Sequence, residues 1–266
     1  MIIRIGNIPV RPILRRAHVG EAHNKLVVRI REISAKLPAG WPIGLERDLL
    51  RRRVGALSLP IPQVHDPRGA AIVFLDGGSG PHLSQRPPSE LAGRRVWERL
   101  AEGPLDVRDL LASAEALGAH SRLRSNEMRT TPFASGHMLE YAGANHVPGR
   151  LARLLRQLNS PAATADPLLH AIGIYFETLL IHPLPDGNGR LARLLFQAAL
   201  RQTLGLRAPV FPLGPACARN RPLLIASYLK WELDRDAQPL VDFIAAALSS
   251  LLRLYARGRE KHSSPD

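Results

Sequence analysis

The chain of 266 residues has one cysteine, Cys217. A single thiol excludes an intramolecular disulfide and any metal site built from cysteines. It fits a reducing compartment, and the residue itself reads as a small buried apolar group. Aromatics are scarce at 5%. The core therefore has to be built from Leu, Ala, Ile and Val, a choice that favours helices. Acidic residues are few: 23 Asp and Glu stand against 36 Lys and Arg, giving a formal net charge of +13. Long apolar runs are missing too. The most apolar stretch, around Ile172–Ile181, is interrupted by Tyr175 and Glu177, so no segment is expected to span a bilayer. The N-terminus lacks the charged-then-apolar layout of a secretory signal. It is also free of acidic residues up to Glu21. The expectation is a bacterial cytoplasmic protein, with export through a dedicated secretion machine left open.

What is present is mostly Arg and aliphatic residues. Arg far outnumbers Lys and is spread along the chain, not gathered in one arm. A basic balance draws a protein toward polyanions, but this spread fits the compositional bias of a GC-rich genome better than a nucleic-acid surface. Nucleic acid is not the expected partner. Length and an apolar share of 45% suit one domain with an extension, or two small domains. There is no internal repeat.

Residues 1–88 form an N-terminal extension of unknown role. Apolar spacing predicts a helix over Glu21–Leu37 and a second, basic one over Leu45–Leu57. Pro60, Pro62 and Pro67 then break regular structure. Ala70–Leu75 reads as a short strand and Asp76–Pro88 as a linker, whose Gly-Gly-Ser-Gly lacks the Lys-Ser/Thr of a P-loop. From there the text is helical. Helices are expected over Ser89–Ala101 (Ser89 as N-cap), Leu105–Leu117, Val147–Leu158, Asp166–Ile181, Arg190–Leu204 (stopped by Gly205), Asn220–Arg235 and Pro239–Tyr255. Met128–His146 loses helical period and reads as a hairpin. The domain is bounded at 89–251, with 252–266 a polar tail.

Between two of the apolar helices lies His182-Pro183-Leu184-Pro185-Asp186-Gly187-Asn188-Gly189-Arg190-Leu191-Ala192-Arg193. Gly-Asn-Gly at the mouth of a helix can take dihedrals closed to other residues and point successive N–H groups at one spot. With the helix N-terminus behind it, that makes an anion nest. Arg190 and Arg193 lie three apart and project from one side of the first turn. Arginines there oppose the helix dipole, so two of them point to a bound anion, and with the nest they form a polyphosphate cradle. Asp186 is a hard oxygen ligand suited to Mg²⁺ bridging phosphates. His182 titrates near neutral pH and can take a proton from an attacking hydroxyl. Each feature alone has a bland explanation, as a loop, a soluble helix start or a structural His. Together they are the parts that phosphoryl-type transfer needs.

This segment resembles the signature of the Fic (Fido) family, His-x-Phe-x-Asp/Glu-Gly-Asn-Gly-Arg-x-x-Arg. Every polar position matches, and Leu184 replaces Phe at what should be a packing position. The likeness extends to Asp166–His182, to Arg129-Thr-Thr-Pro-Phe with Asn145-His-Val-Pro148, and to the stretch from Asn220-Arg221 to Phe243. The resemblance implies a mainly α fold: a Fic-type helical bundle with a small β-hairpin flap, preceded here by the poorly specified extension. It implies a protein nucleotidyltransferase that moves AMP from ATP, the co-substrate, to a Ser, Thr or Tyr hydroxyl of a target protein, with Mg²⁺. The implied roles are His182 as catalytic base and Asp186 for the metal. Gly187, Asn188 and Gly189 form the anion hole, and Arg190 and Arg193 hold phosphates. The target would dock along the flap, about residues 129–148, by strand addition.

Two departures stand out. Many members carry a Tyr pair near the base in the later helix, but Leu224 and Ile225 occupy those places here, with Tyr228 the nearest ring. UTP or GTP therefore remain alternative donors. A catalytically degenerate binding module is a further alternative, against which the intact His182, Asp186 and arginines argue. Many members also hold an inhibitory helix, Ser/Thr-x-x-x-Glu-Gly/Asn, whose Glu pairs with the second Arg of the signature. No Ser or Thr here has a Glu four residues later; the nearest match is Glu98-Arg-Leu-Ala-Glu102-Gly103. Glu102 is thus the possible inhibitory residue, expected against Arg193. Otherwise the enzyme is constitutively active or restrained by a separate antitoxin-like chain.

Overall fold

A computed structural model describes residues 1–5, 20–36, 57–72, 96–100, 102–116, 118–160, 166–206 and 213–260. The described part is mostly helical. In chain order it contains β1 (Ile2–Arg4), α1 (Glu21–Lys36), α2 (Val107–Ala116), β2 (Met138–Glu140), a 3₁₀ turn at Ala144–His146 and α3 (Val147–Leu158). There follow α4 (Pro167–Ile181), α5 (Asn188–Leu204), α6 (Leu213–Arg219), α7 (Arg221–Asp234) and α8 (Gln238–Glu260). No described helix is long and apolar enough to cross a membrane.

The pair α4 and α5 is the axis of the fold, packed together along its length, with α3 and α8 against α4. Helix α4 is apolar almost all round and buries Leu168, Ala171, Ile172, Ile174, Tyr175, Phe176, Leu180 and Ile181, as a helix enclosed by others must. Its start is written in Asp166-Pro167. The Asp166 carboxylate accepts the Leu169 N–H at 2.8 Å, and Pro167 sits where no N–H is needed. Helix α5 ends at Gly205, whose φ of 66° and N–H bond to the Arg201 carbonyl close the last turn. Three of the scarce aromatics meet between α4 and α7: the ring of Phe176 on α4 lies 5.4 Å, centroid to centroid, from those of Tyr228 and Trp231 of α7.

The hairpin expected over Met128–His146 is present. Thr130 N–H donates to Leu139 O and Tyr141 N–H to Met128 O, at 2.9 and 3.0 Å. Its outer edge holds a strand that local periodicity did not announce. β1 pairs in parallel with β2, Ile2 opposite Met138 and Arg4 opposite Glu140. Glu140 ties the three segments together, accepting from Arg4 at 2.7 Å and from Arg129 at 2.7 and 2.9 Å.

The described N-terminal segments share the core of the helices: Ile3, Ile5, Leu26, Ile30, Val64 and Ile72 are buried in the same cluster as α4 and α5. Two histidine–carboxylate pairs fasten them. His23 of α1 lies 3.4 Å from Asp166, and His137 at the hairpin lies 3.0 Å from Asp66. The expected strand at Ala70–Leu75 is a single bridge, Ala71 opposite His65, as far as it is described. The helix expected over Leu45–Leu57 (all but its last residue), the linker Asp76–Pro88 and the first part of Ser89–Ala101 lie outside the described residues.

Candidate active site at the junction of α4 and α5

The loop from His182 to Gly187 joins the C-terminus of α4 to the N-terminus of α5. Asn188 shapes it from within. Its buried side-chain amide accepts the Leu184 N–H at 2.8 Å and donates to the Leu184 carbonyl at 2.7 Å. Leu184, which stands where the signature has Phe, is fully buried, as a packing position requires. Gly187 caps α5 with φ 90°. A Cβ there would lie 2.2 Å from that of Ala119. Both conformation and space demand glycine.

A helix N-terminus such as that of α5 has N–H groups with no acceptor inside the helix, the feature on which an anion nest is built. Two guanidiniums flank it. Arg190 lies against Gly118, where a Cβ would be 3.1 Å from its Nη1, and burial lowers its pKa. Arg193 lies against Gly189 and Gly214; a Cβ at Gly214 would sit 3.3 Å from its Nε. Asp186 is at the mouth, 57% exposed, with one oxygen accepting the Gly187 N–H at 2.7 Å and the other 3.6 Å from Arg190.

His182 takes a left-handed conformation, φ 48° and ψ 59°, as the C-cap of α4, its N–H donating to Thr178 O. Its Nδ1 lies 3.4 Å from the Leu179 carbonyl. The tautomer that donates there leaves the Nε2 lone pair open. The Tyr141 ring stacks on the imidazole, centroids 3.8 Å apart. Burial, with a smaller push from the Arg124 charge, lowers the His182 pKa to about 4, against the opposing pull of Leu179 O and Asp186. The imidazole is therefore neutral at pH 7 and able to accept a proton.

The residues named from the sequence, His182, Asp186, Gly187, Asn188, Gly189, Arg190 and Arg193, thus converge on one mouth. Glu102 does not join them. Its side chain is 66% exposed and lies 3.6 Å from Arg99; among the described residues no ion pair connects it to Arg193. Leu224 and Ile225 are half-buried and Tyr228 is packed in the core. Several contributors carried no sequence signal: Gly118 and Ala119, which wall the nest; Gly214 against Arg193; and Tyr141 and Arg124, which contact His182.

Mg²⁺ is the metal the signature implies. Among the described residues no group of three or more His, Cys, Asp or Glu forms a cage. A single exposed carboxylate beside an anion nest nonetheless fits Mg²⁺, which keeps several waters and takes other ligands from substrate phosphates.

Residues 104–200 match the family model described as Fic/DOC family. A protein adenylyltransferase Fic of Drosophila yakuba is 37% identical over 114 residues, 41% of this chain and 21% of its own length. A protein adenylyltransferase fic-1 of Caenorhabditis briggsae is 28% identical over 162 residues, 60% of this chain and 30% of its own length. The chain thus spans under a third of these curated relatives. A solved structure of Fic-1 from C. elegans superposes with TM-score 0.51 at 18% identity, covering 96% of this chain and 74% of that one, a likeness of fold.

Proposed function

We propose that this chain, whose residues 104–200 match the Fic/DOC family model, transfers AMP from ATP to a hydroxyl of a target protein. The observation that carries the reading is the convergence, within 182–193, of a neutral imidazole, an exposed carboxylate and a helix N-terminus flanked by two guanidiniums. The curated relatives are named protein adenylyltransferases.

In the proposed step a Ser, Thr or Tyr hydroxyl oxygen attacks the α-phosphorus. A new P–O bond forms, the bond from α-phosphorus to the bridging oxygen breaks, and pyrophosphate leaves. The hydroxyl proton passes to Nε2 of His182. The α5 N-terminus with Gly187, Asn188 and Gly189 would bind the phosphates, Arg190 and Arg193 would neutralise charge on the leaving side, and preorganised donors of this kind favour the transition state. Asp186 would hold Mg²⁺, which supplies charge neutralisation across the phosphates. The target strand would add along the flap. One edge of β2 is taken by β1 and the other by the 128–133 arm. Strand alternation turns the peptide groups of Arg129 and Thr131 away from β2, and that edge is where an acceptor strand would pair.

The base half of the donor is less specified, because aliphatic Leu224 and Ile225 stand where many members place tyrosines. The test is incubation with ATP labelled on the α- or the γ-phosphate, with UTP and GTP in parallel. Protein-bound label from α-labelled ATP and none from γ-labelled ATP is expected. Label from the γ-position would replace this reading with a kinase, and label from UTP or GTP alone would rename the donor.

A further inference from the structure

Resting on that reading of His182 as the base, we infer that Arg124 is a positioning residue that fixes the base and the flap to one shared reference. Arg124 lies between α2 and the hairpin and is buried, 5% exposed. Its guanidinium spends its donors on peptide carbonyls. Nε donates to His182 O at 2.6 Å, Nη2 to Ile181 O at 3.1 Å and to Ala142 O, and Nη1 to Asn126 O at 2.7 Å. Its own N–H donates to Pro183 O at 2.9 Å. Two of these carbonyls belong to the C-terminus of α4, where a cation is favoured by the helix dipole. The other two, Asn126 and Ala142, flank the hairpin that runs from 128 to 141. One rigid fork therefore grips both roots of the flap and the peptide of the base.

The grip has a clear object. His182 is one of two described non-glycine residues at positive φ. A side-chain-bearing residue in that region is strained and persists only where its surroundings over-determine it. Here the N–H of His182 is held by Thr178 O and its carbonyl by Arg124. Arginine suits this task because its five donors have a fixed planar geometry, whereas lysine offers a point charge on a flexible stem. A target strand paired on the flap and the imidazole that must take its proton are thus aligned through the same side chain. Misplacement of a reacting group by about 1 Å can cost about 100-fold in rate.

The test compares wild type, Arg124→Lys and Arg124→Gln in the full chain. Three quantities are read: kcat and KM of transfer, the Kd of a non-hydrolysable ATP analogue, and the titration of the His182 imidazole by NMR. The groups facing that imidazole are the stacked Tyr141, the charges of Arg124 and Asp186, and Leu179 O. Arg124→Lys keeps the charge and loses the fork, so kcat should fall about 10- to 100-fold with the analogue Kd unchanged and the titration in place. Arg124→Gln loses both, so kcat should fall and the titration move upward. A folded Arg124→Lys with wild-type kcat overturns the inference. So does a loss matched by an equal loss of analogue binding, or an imidazole titration that Arg124→Gln leaves unmoved. Failure of the function itself reads differently: the wild type then transfers nothing, or transfers without His182, while the NMR arm still decides whether Arg124 governs the imidazole.

Discussion

The ring of Tyr141 lies flat on the imidazole of His182, with centroids 3.8 Å apart and planes 22° from parallel. The contact spans two parts of the fold, since Tyr141 ends the flap and His182 ends α4. Burial pushes the Tyr141 hydroxyl up to about 12, so it stays protonated, and its contribution is a neutral lid over one face of the imidazole. Tyr141→Phe keeps that lid and should leave transfer within about twofold, whereas Tyr141→Ala opens the imidazole to water. The His182 pKa, now near 4, should then return toward its ordinary 6.5, because desolvation is the main cause of the shift. The acidic limb of the kcat/KM profile would move up with it. Identical limbs in wild type and Tyr141→Ala would show that the stack does not govern the base.

The same shift has a consequence for stability. The folded chain keeps His182 neutral down to about pH 4, while in the unfolded chain it protonates near 6.5. Between those values the unfolded state binds the extra proton, so the free energy of unfolding falls as pH drops through that window. His182→Gln removes the group. The stability difference between wild type and His182→Gln, read by urea denaturation, should change in favour of the variant as pH falls from 7 to 4.5. The slope can reach at most about 1.4 kcal/mol per pH unit. Carboxylates held low by their partners, such as Asp66 and Glu140, act equally in both proteins and cancel. Parallel curves would show that the fold does not suppress His182 protonation.

Gly187 faces two separate constraints, and they can be told apart. Gly187→Ala places a Cβ 2.2 Å from that of Ala119 and a side chain at φ 90°. We expect ATP-analogue binding to be lost and stability to fall by about 1–3 kcal/mol or more. Adding Ala119→Gly relieves the collision but not the backbone strain, so it should restore part of the stability and little of the binding. Calorimetric binding at wild-type strength in Gly187→Ala would mean that the cap of α5 does not cradle the donor.

Asp186 should matter through the metal and not through folding. It is 57% exposed, and surface changes of this kind are usually within about 0.5 kcal/mol. Asp186→Asn should leave the melting temperature near wild type while raising the Mg²⁺ concentration needed for half-maximal transfer at least about tenfold, a loss of about 1.4 kcal/mol in cation binding. An unchanged Mg²⁺ requirement would remove Asp186 as the ligand.

The sequence carried the site unevenly. The run from His182 to Arg193 is legible because its residues are contiguous and its turn chemistry is local, as are the Asp166-Pro167 start of α4 and the Gly205 stop of α5. β1 was missed because three residues become a strand only by pairing with Met138–Glu140 far along the chain, and nothing local specifies that register. α6 was missed because Leu213-Gly214-Pro215 reads as a loop opening, while Gly214 is there to let Arg193 lie close. Arg124 left no mark either. Its partners are main-chain carbonyls, which any residue supplies, so no motif records them. Glu102 shows the reverse error: a spacing that resembles an inhibitory helix lands beside Arg99 at the surface.

The central claim is that His182 takes the proton as a nucleoside monophosphate moves onto a protein hydroxyl. The most direct test is mass spectrometry of wild type and His182→Ala after incubation with ATP, UTP, GTP and Mg²⁺ in the presence of acceptor protein. The account predicts added mass equal to AMP on a Ser, Thr or Tyr in the wild-type reaction and none above background with His182→Ala. Modification at full yield in His182→Ala would contradict it.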